Sequence, residues 1–260
     1  MKIKLESDLH IDFEDHNPCL KDIDVYVLAG DVGEFKNIMP WLYDILELNQ
    51  HVKIIHVIGN HVAYGHKNID IIEQKLHEFS SWHPRYCFLQ NSSIEISGIK
   101  FIGATLWTDY NNNNPIDMSM SLSYLSDYRQ IKHKMGDANN PISYPWRPEE
   151  AYKRHLYSRK YIFEELKKGY SNQKQIVITH HKPYASDNSP LFASYESNLD
   201  KEINVCNNVP KYWLYGHTHK ADNTKIEYNN GCCTFLSNPK GYPGENIGFD
   251  KNFTLEINNE

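Results

Sequence analysis

The sequence predicts an α/β fold organised around parallel strands. Three observations lead there. Short apolar runs recur along the chain and stop abruptly on Gly, Asp, Asn or His. Helix-like stretches separate the first of them. The chain has 260 residues, 40% hydrophobic and 23% charged, enough to bury a sizeable core as one large domain or two small ones.

In order, "KIKLESD" alternates from Lys2 and stops at Asp8. Val25 to Ala29 is a buried-strand run ending at Gly30-Asp31, and "VKIIHVIGNH" is another ending at Gly59-Asn60-His61. Helical spacing from Met39 to Leu48 and from Ile69 to Phe79 makes this a βαβαβ unit. "CFLQNSSIEISGIKFIGATLW" reads as consecutive strands turning around Asn91-Ser92-Ser93 and Ser97-Gly98. The segment of about 108–150 is polar and rich in Asn and Pro, with one helical candidate from Leu122 to His133. We read it as a cap or insertion within a single domain spanning 1–260. A helix from about Pro148 to Lys168 follows. "KQIVITHH" and "KYWLYGHTH" then end strands at His180-His181 and His217-Thr218-His219, and the tail has two strand-like ends around a Gly/Pro loop. No internal repeat is visible.

Composition excludes several classes. The formal net charge is −6 and no Lys/Arg stripe is present, which argues against duplex nucleic acid as a partner. Five cysteines, an odd number without a C-x-x-C pair, argue against a disulfide framework and a thiolate zinc site. The charged N-terminus lacks a signal core, and no run approaches the roughly 18 apolar residues of a membrane span. A cytoplasmic protein without membrane attachment is expected.

The strand ends carry the chemistry. Asp8-x-His10, Gly30-Asp31, Gly59-Asn60-His61, His180-His181 and Gly216-His217-Thr218-His219 each follow an apolar strand. Open α/β sheets bind ligands beyond the carboxyl ends of their strands, so five segments aim imidazole, carboxylate and amide groups at one rim. That donor set suits Mn, Fe, Zn, Co or Ni better than Mg or Ca. The count suggests two divalent ions. Asp8, His10 and His219 could hold one; Asn60, His180 and His217 could hold the other; Asp31 could bridge them. Paired metals clamp in-line displacement at phosphorus, with a bridging hydroxide as the natural nucleophile.

These blocks, "DLH", "GDVG", "GNHV", "HH" and "GHTH", resemble those of calcineurin-like metallophosphoesterases over Lys2 to about Ile257. "GATLWTD", "SDYRQI" and "NPKGYPGENIGF" are further similar to a group of bacterial and phage members of uncertain substrate. The resemblance implies a four-layer α/β/β/α sandwich with two mixed sheets, and the same seven metal ligands. It makes His180 the ligand of the pair, with His181 behind it. It also makes His61 the general acid or phosphoryl hydrogen-bond donor, held by an acid in the next position. Here that position is Val62, which cannot accept a hydrogen bond, so His61 is expected to be less well oriented and less readily protonated. On that reading Val62→Glu would speed alkyl-phosphate hydrolysis more than aryl-phosphate hydrolysis.

The expected function is hydrolysis of a phosphomonoester or phosphodiester, with a nucleotide-like small molecule favoured. Rim candidates for substrate binding are Tyr64, His66, Trp107, Tyr128, Arg129, Lys240 and Tyr242, from stacking and phosphate-binding chemistry. The alternatives are a binding or scaffold protein that keeps the fold with weakened catalysis, and a nuclease or cyclic-nucleotide phosphodiesterase.

Overall fold

The computed structural model describes residues 1–135, 142–168, 174–186, 192–245 and 247–257. It begins with β1 (Lys2–Glu6), β2 (Val25–Ala29), α1 (Phe35–Leu48), β3 (Lys53–Val57), β4 (Lys67–Asn68) and α2 (Ile69–Trp82). Strands β5 (Tyr86–Phe88), β6 (Ser92–Ile96) and β7 (Ile99–Ala104) lead into α3 (Tyr110–Asn113), α4 (Pro115–Tyr124), α5 (Asp127–Gln130), β8 (Ile131–Met135) and β9 (Ile142–Pro145). The chain closes with α6 (Pro148–Lys167), β10 (Lys174–Thr179), α7 (Asp200–Asn204), β11 (Tyr212–Tyr215), β12 (Asp222–Tyr228), β13 (Gly231–Ser237) and β14 (Thr254–Glu256).

Two mixed sheets form the centre. One has the order β14-β1-β2-β3-β5, parallel except for β14. The other has the order β12-β13-β11-β10-β7-β6, with a parallel middle and antiparallel edges β12 and β6. Strand periodicity sorts the side chains into layers. Val25, Val27 and Ala29 face inward with Phe101, Ile176, Ile178 and Leu214, forming the core between the sheets. Tyr26 and Leu28 face outward and pack with Ile38, Leu42, Ile72 and Leu76 of α1 and α2. On the far side Val177, Trp213 and Phe235 pack with Ile162 and Leu166 of α6 and Ile203 of α7. The result is helix, sheet, sheet, helix, and runs buried on both faces are why those strands lack simple alternation. Both parallel sets end at the same edge, which is where the ligand-bearing loops begin.

The 108–150 segment differs from expectation in one respect. No helix runs from Leu122 to His133. Helix α4 starts earlier, with Pro115 at its first position and the Asn114 side chain accepting from Ile116 N. The chain then turns, and Ile131-Lys132-His133-Lys134 forms the strand β8, with Ile131 and His133 buried and Lys134 exposed. This period of two outweighs the helical spacing. β8 joins β4 and β9 in a small third sheet. The Asn run folds into a left-handed turn, with φ of 50° and 63° at Asn111 and Asn112. Asn tolerates that region better than most residues. Among the described residues no helix is long and apolar enough to cross a membrane.

Candidate metal centre

Strand ends from both sheets converge. β1 delivers Asp8 and His10, β2 Asp31, β3 Asn60, β10 His180 and β11 His217 and His219. Donor atoms of three groups lie within 4.8 Å of one another: Asp8, His10 and His219; His10, Asp31 and His61; and Asp31, His180 and His217. Asn60 Oδ1 lies 3.1 Å from His180 Nε2 and so joins the third group. The seven residues expected as ligands therefore meet, and Asp31 stands between the two sets.

The backbone is shaped for this. Asp8, His10, Asp31, His217 and His219 all have left-handed φ, from 45° to 67°. Such conformations cost of order 1–3 kcal/mol each for non-Gly residues and cluster where side-chain aim matters more than backbone ease. Close approach also explains Gly59. A Cβ there would fall on Asp31 Oδ1 and sit 2.6 Å from His180 Nε2.

Hydrogen bonds fix which ring nitrogen faces the centre. His180 Nδ1 donates to Ala29 O (3.1 Å), leaving Nε2 toward Asn60 and Asp31. His219 Nδ1 donates to Glu245 Oε2 (2.7 Å), leaving its Nε2 3.0 Å from His10 Nε2. The Glu245 carboxylate also accepts from Tyr242 N. His217 Nε2 is buried with no hydrogen-bond partner among the described residues.

Charge follows from burial. Burial lowers the His10 pKa to about 3 and the His217 pKa well below its usual value, so both rings are neutral, as a metal ligand must be. The Nε2 atoms of His10 and His219, 3.0 Å apart, are spaced for a cation to lie between them. Asp31 is held well below the carboxylate range: burial opposes this, but His180 and His61 outweigh it. Its partner His180 is raised to about 9, against burial, by Asp31 and Asp8. A metal held there would displace that proton, so its uptake would be favoured by higher pH.

His61 lies beside the ligands. Its N–H donates to Asp31 Oδ1 (2.9 Å), its Nε2 shares a hydrogen bond with Tyr242 Oη (3.0 Å), and its ring stacks on Tyr64 with centroids 4.0 Å apart. A cavity of about 430 Å³ opens here, with Asp31, Asn60, His61, His217 and His219 at its floor. Its walls include Tyr64, Tyr124, Leu125, Ser126, Asp127, Tyr195 and Tyr242.

Of the rim candidates, Tyr64 and Tyr242 line the cavity, and the others do not. His66 is exposed, with its backbone N–H donating to Gln130 O. Trp107 is buried against Trp146 and His181, as an aromatic at a strand end between two layers packs. Tyr128 is buried with its hydroxyl on Tyr110 Oη (2.5 Å). Arg129 is solvated and donates to Ser123 O and Tyr124 O, and Lys240 pairs with Glu14. His181 sits behind the centre, with Nδ1 on Thr105 O and its ring 4.1 Å from that of His217.

Val62 is 1% exposed and belongs to the apolar cluster under α1 and α2. The position after His61 therefore holds a buried apolar side chain and no hydrogen-bond acceptor. Sequence reasoning missed Asp127, Glu245, Tyr124 and Tyr195. The first two lie inside "SDYRQI" and "NPKGYPGENIGF", stretches already noted for resemblance. The tyrosines carried no distinguishing pattern.

Burial raises the Asp127 pKa, with hydrogen bonds from Tyr64 and Asn60 and the charge of His61 pulling it back.

The model of the calcineurin-like phosphoesterase family matches residues 1–221. An uncharacterised protein, L509, of Acanthamoeba polyphaga mimivirus is 28% identical, over 98% of this chain and 96% of that protein. Among solved structures, phosphopantetheinyl hydrolase (PptH) from Mycobacterium tuberculosis aligns with a TM-score of 0.61 at 16% identity, over 93% of this chain and 90% of that one. A dimetal phosphatase from Danio rerio aligns at a TM-score of 0.45 and 14% identity, over 91% and 87% of the two chains.

Proposed function

The chain belongs to the calcineurin-like phosphoesterase family, and we propose that it is a two-metal phosphoesterase acting on a small phosphomonoester or phosphodiester with a flat, nucleotide-like group. The observation that carries this reading is the convergence of seven N/O donors, with Asp31 grouped with His180 and His217 on one side and with His10 on the other. Asp8, His10 and His219 would hold one divalent ion, and Asn60, His180 and His217 the other, with Asp31 contributing to both. Mn, Fe/Zn, Ni and Co suit this imidazole-rich set. Such a pair supplies an activated water and neutralises charge on the phosphoryl oxygens.

The chain's own residues do the rest. Asp31 keeps its charge between the two sets and accepts the His61 backbone N–H, tying the acid to the ligands. His61 reaches the cavity with Nε2 beside Tyr242 Oη, where it can give a proton to a departing alkoxide. Tyr64, Tyr124, Tyr195 and Tyr242 offer ring faces for a base or aryl group. The cavity suits a small molecule rather than duplex nucleic acid. All five cysteines are free, which supports a reducing, cytoplasmic setting.

The test is metal-stripped protein reloaded with Mn, Fe/Zn, Ni or Mg and assayed on aryl monoester, aryl diester and nucleotide substrates. Turnover should depend on the metal and fall at least 100-fold in Asp31→Asn. Full metal loading without turnover of any substrate would favour the scaffold reading. Unchanged activity in Asp31→Asn would remove the shared-ligand assignment.

A further inference from the structure

The stretch Asn60–His66 carries a candidate ligand and the candidate acid, and the short turn α5 grips it at both ends. At the far end Gln130 Oε1 accepts from Gly65 N (3.2 Å) and Gln130 O from His66 N (2.7 Å). At the near end one oxygen, Asp127 Oδ1, accepts from both Asn60 Nδ2 (2.8 Å) and Tyr64 Oη (2.6 Å). Asp127 is 3% exposed and comes from the 108–150 segment, outside every strand-end block.

We propose that Asp127 is a positioning residue that orients Asn60 toward the metal and, through Tyr64, holds the ring of His61; this rests on the two-metal reading above. The physical reason lies in the amide. Its two ends have the same shape, and only the oxygen can ligate a cation. Asp127 Oδ1 is the nearer of two acceptors on Asn60 Nδ2, with Tyr64 Oη at 3.3 Å the other, so it claims the NH₂ end and leaves Oδ1 facing His180 Nε2. Without it, a half-turn about the last side-chain bond would aim N–H groups at a cation. The second arm runs through Tyr64, whose hydroxyl is tied to Asp127 and whose ring stacks on His61. Support for the His61 ring thus reaches it from α5 through the stacked Tyr64 ring, while Val62 serves the core.

The experiment is calorimetric titration of Mn²⁺ into metal-stripped protein, with Asp127→Ala, Asp127→Asn and Tyr64→Phe compared to wild type. Wild type should take up two ions. Asp127→Ala should bind one normally and the other 10–100-fold more weakly, the range for losing a ligand's supporting partner. Asp127→Asn should restore the second ion, since its amide oxygen can accept both bonds; a merely structural loss would leave the first site weakened as well. Tyr64→Phe should keep both ions but slow alkyl-phosphate turnover about tenfold more than aryl-phosphate turnover. Two ions of unchanged affinity in folded Asp127→Ala would overturn the orienting role. If Asp127→Ala does not fold, equal loss on both substrate types in Tyr64→Phe would overturn the Tyr64 arm. Wild type that binds no Mn²⁺ would overturn the two-metal reading itself, a separate failure.

Discussion

Val62→Glu would restore the residue type that the family pattern places after Gly-Asn-His, and in this structure it puts a carboxyl into a packed core. Val62 is 1% exposed, in a cluster that includes Leu9, Val32, Ala63 and Ile69. Forcing a longer side chain into a packed core costs about 1–3 kcal/mol. A carboxyl there must stay neutral or be buried charged, which adds about 2 kcal/mol or more. The sum is about 3–5 kcal/mol, a fall in Tm of roughly 10 °C for a chain of this size. The sign with pH follows. A buried Glu has a raised folded pKa, so the folded mutant holds a proton that the unfolded chain releases above about pH 4.3. The penalty should therefore be largest at neutral and alkaline pH and shrink as pH falls toward 4. Thermal or urea unfolding at pH 5, 7 and 8, beside alkyl- and aryl-phosphate assays, measures both effects. A mutant as stable as wild type at pH 7 that selectively gains alkyl-phosphate turnover would refute the reasoning and put position 62 beside His61.

Three further outcomes are expected. Gly59→Ala would drive its Cβ into Asp31 and His180, so metal content by elemental analysis should fall below one ion per chain while apo-protein circular dichroism stays native. Glu245→Ala removes the acceptor from His219 Nδ1; affinity of the Asp8/His10/His219 site should drop 10–100-fold, and Glu245→Gln, which can still accept, should lose less. Burial lowers His56 to a pKa of about 3, against about 6.5 unfolded. Its contribution is complete above pH 6.5 and is lost as pH falls toward 3, at up to 1.36 kcal/mol per pH unit. In His56→Gln, which can still bond the Tyr86 hydroxyl, urea unfolding between pH 7 and 5 should show a correspondingly flatter slope; an unchanged slope would count against the assignment.

Legibility tracked how local the cause was. Buried parallel strands show as runs of Val, Ile and Leu, so β2 and β3 could be read, and with them the places where Asp31 and Asn60 emerge. The hairpin between β6 and β7 showed in Ser97-Gly98, both with left-handed φ. β8 could have been read from its alternation, but helical spacing in the residues before it masked the change of period. Trp107 and Tyr128 looked like ligand-facing aromatics because a sequence does not say which layer a strand-end or cap residue faces.

By itself the sequence determined seven candidate donors and their order. They follow five strands, three in one sheet and two in the other, and parallel strands of one sheet must end on one side. It could not say how the two sheets face each other, nor what packs behind each ligand. Those depend on contacts between residues far apart in the chain, and tertiary structure alone decided them. It turned Val62 into a core residue and set the Glu245 carboxylate on His219. It also brought Asp127 from an unremarked acid in the 108–150 segment to the amide of Asn60, because a buried carboxylate is stable only where donors converge on it.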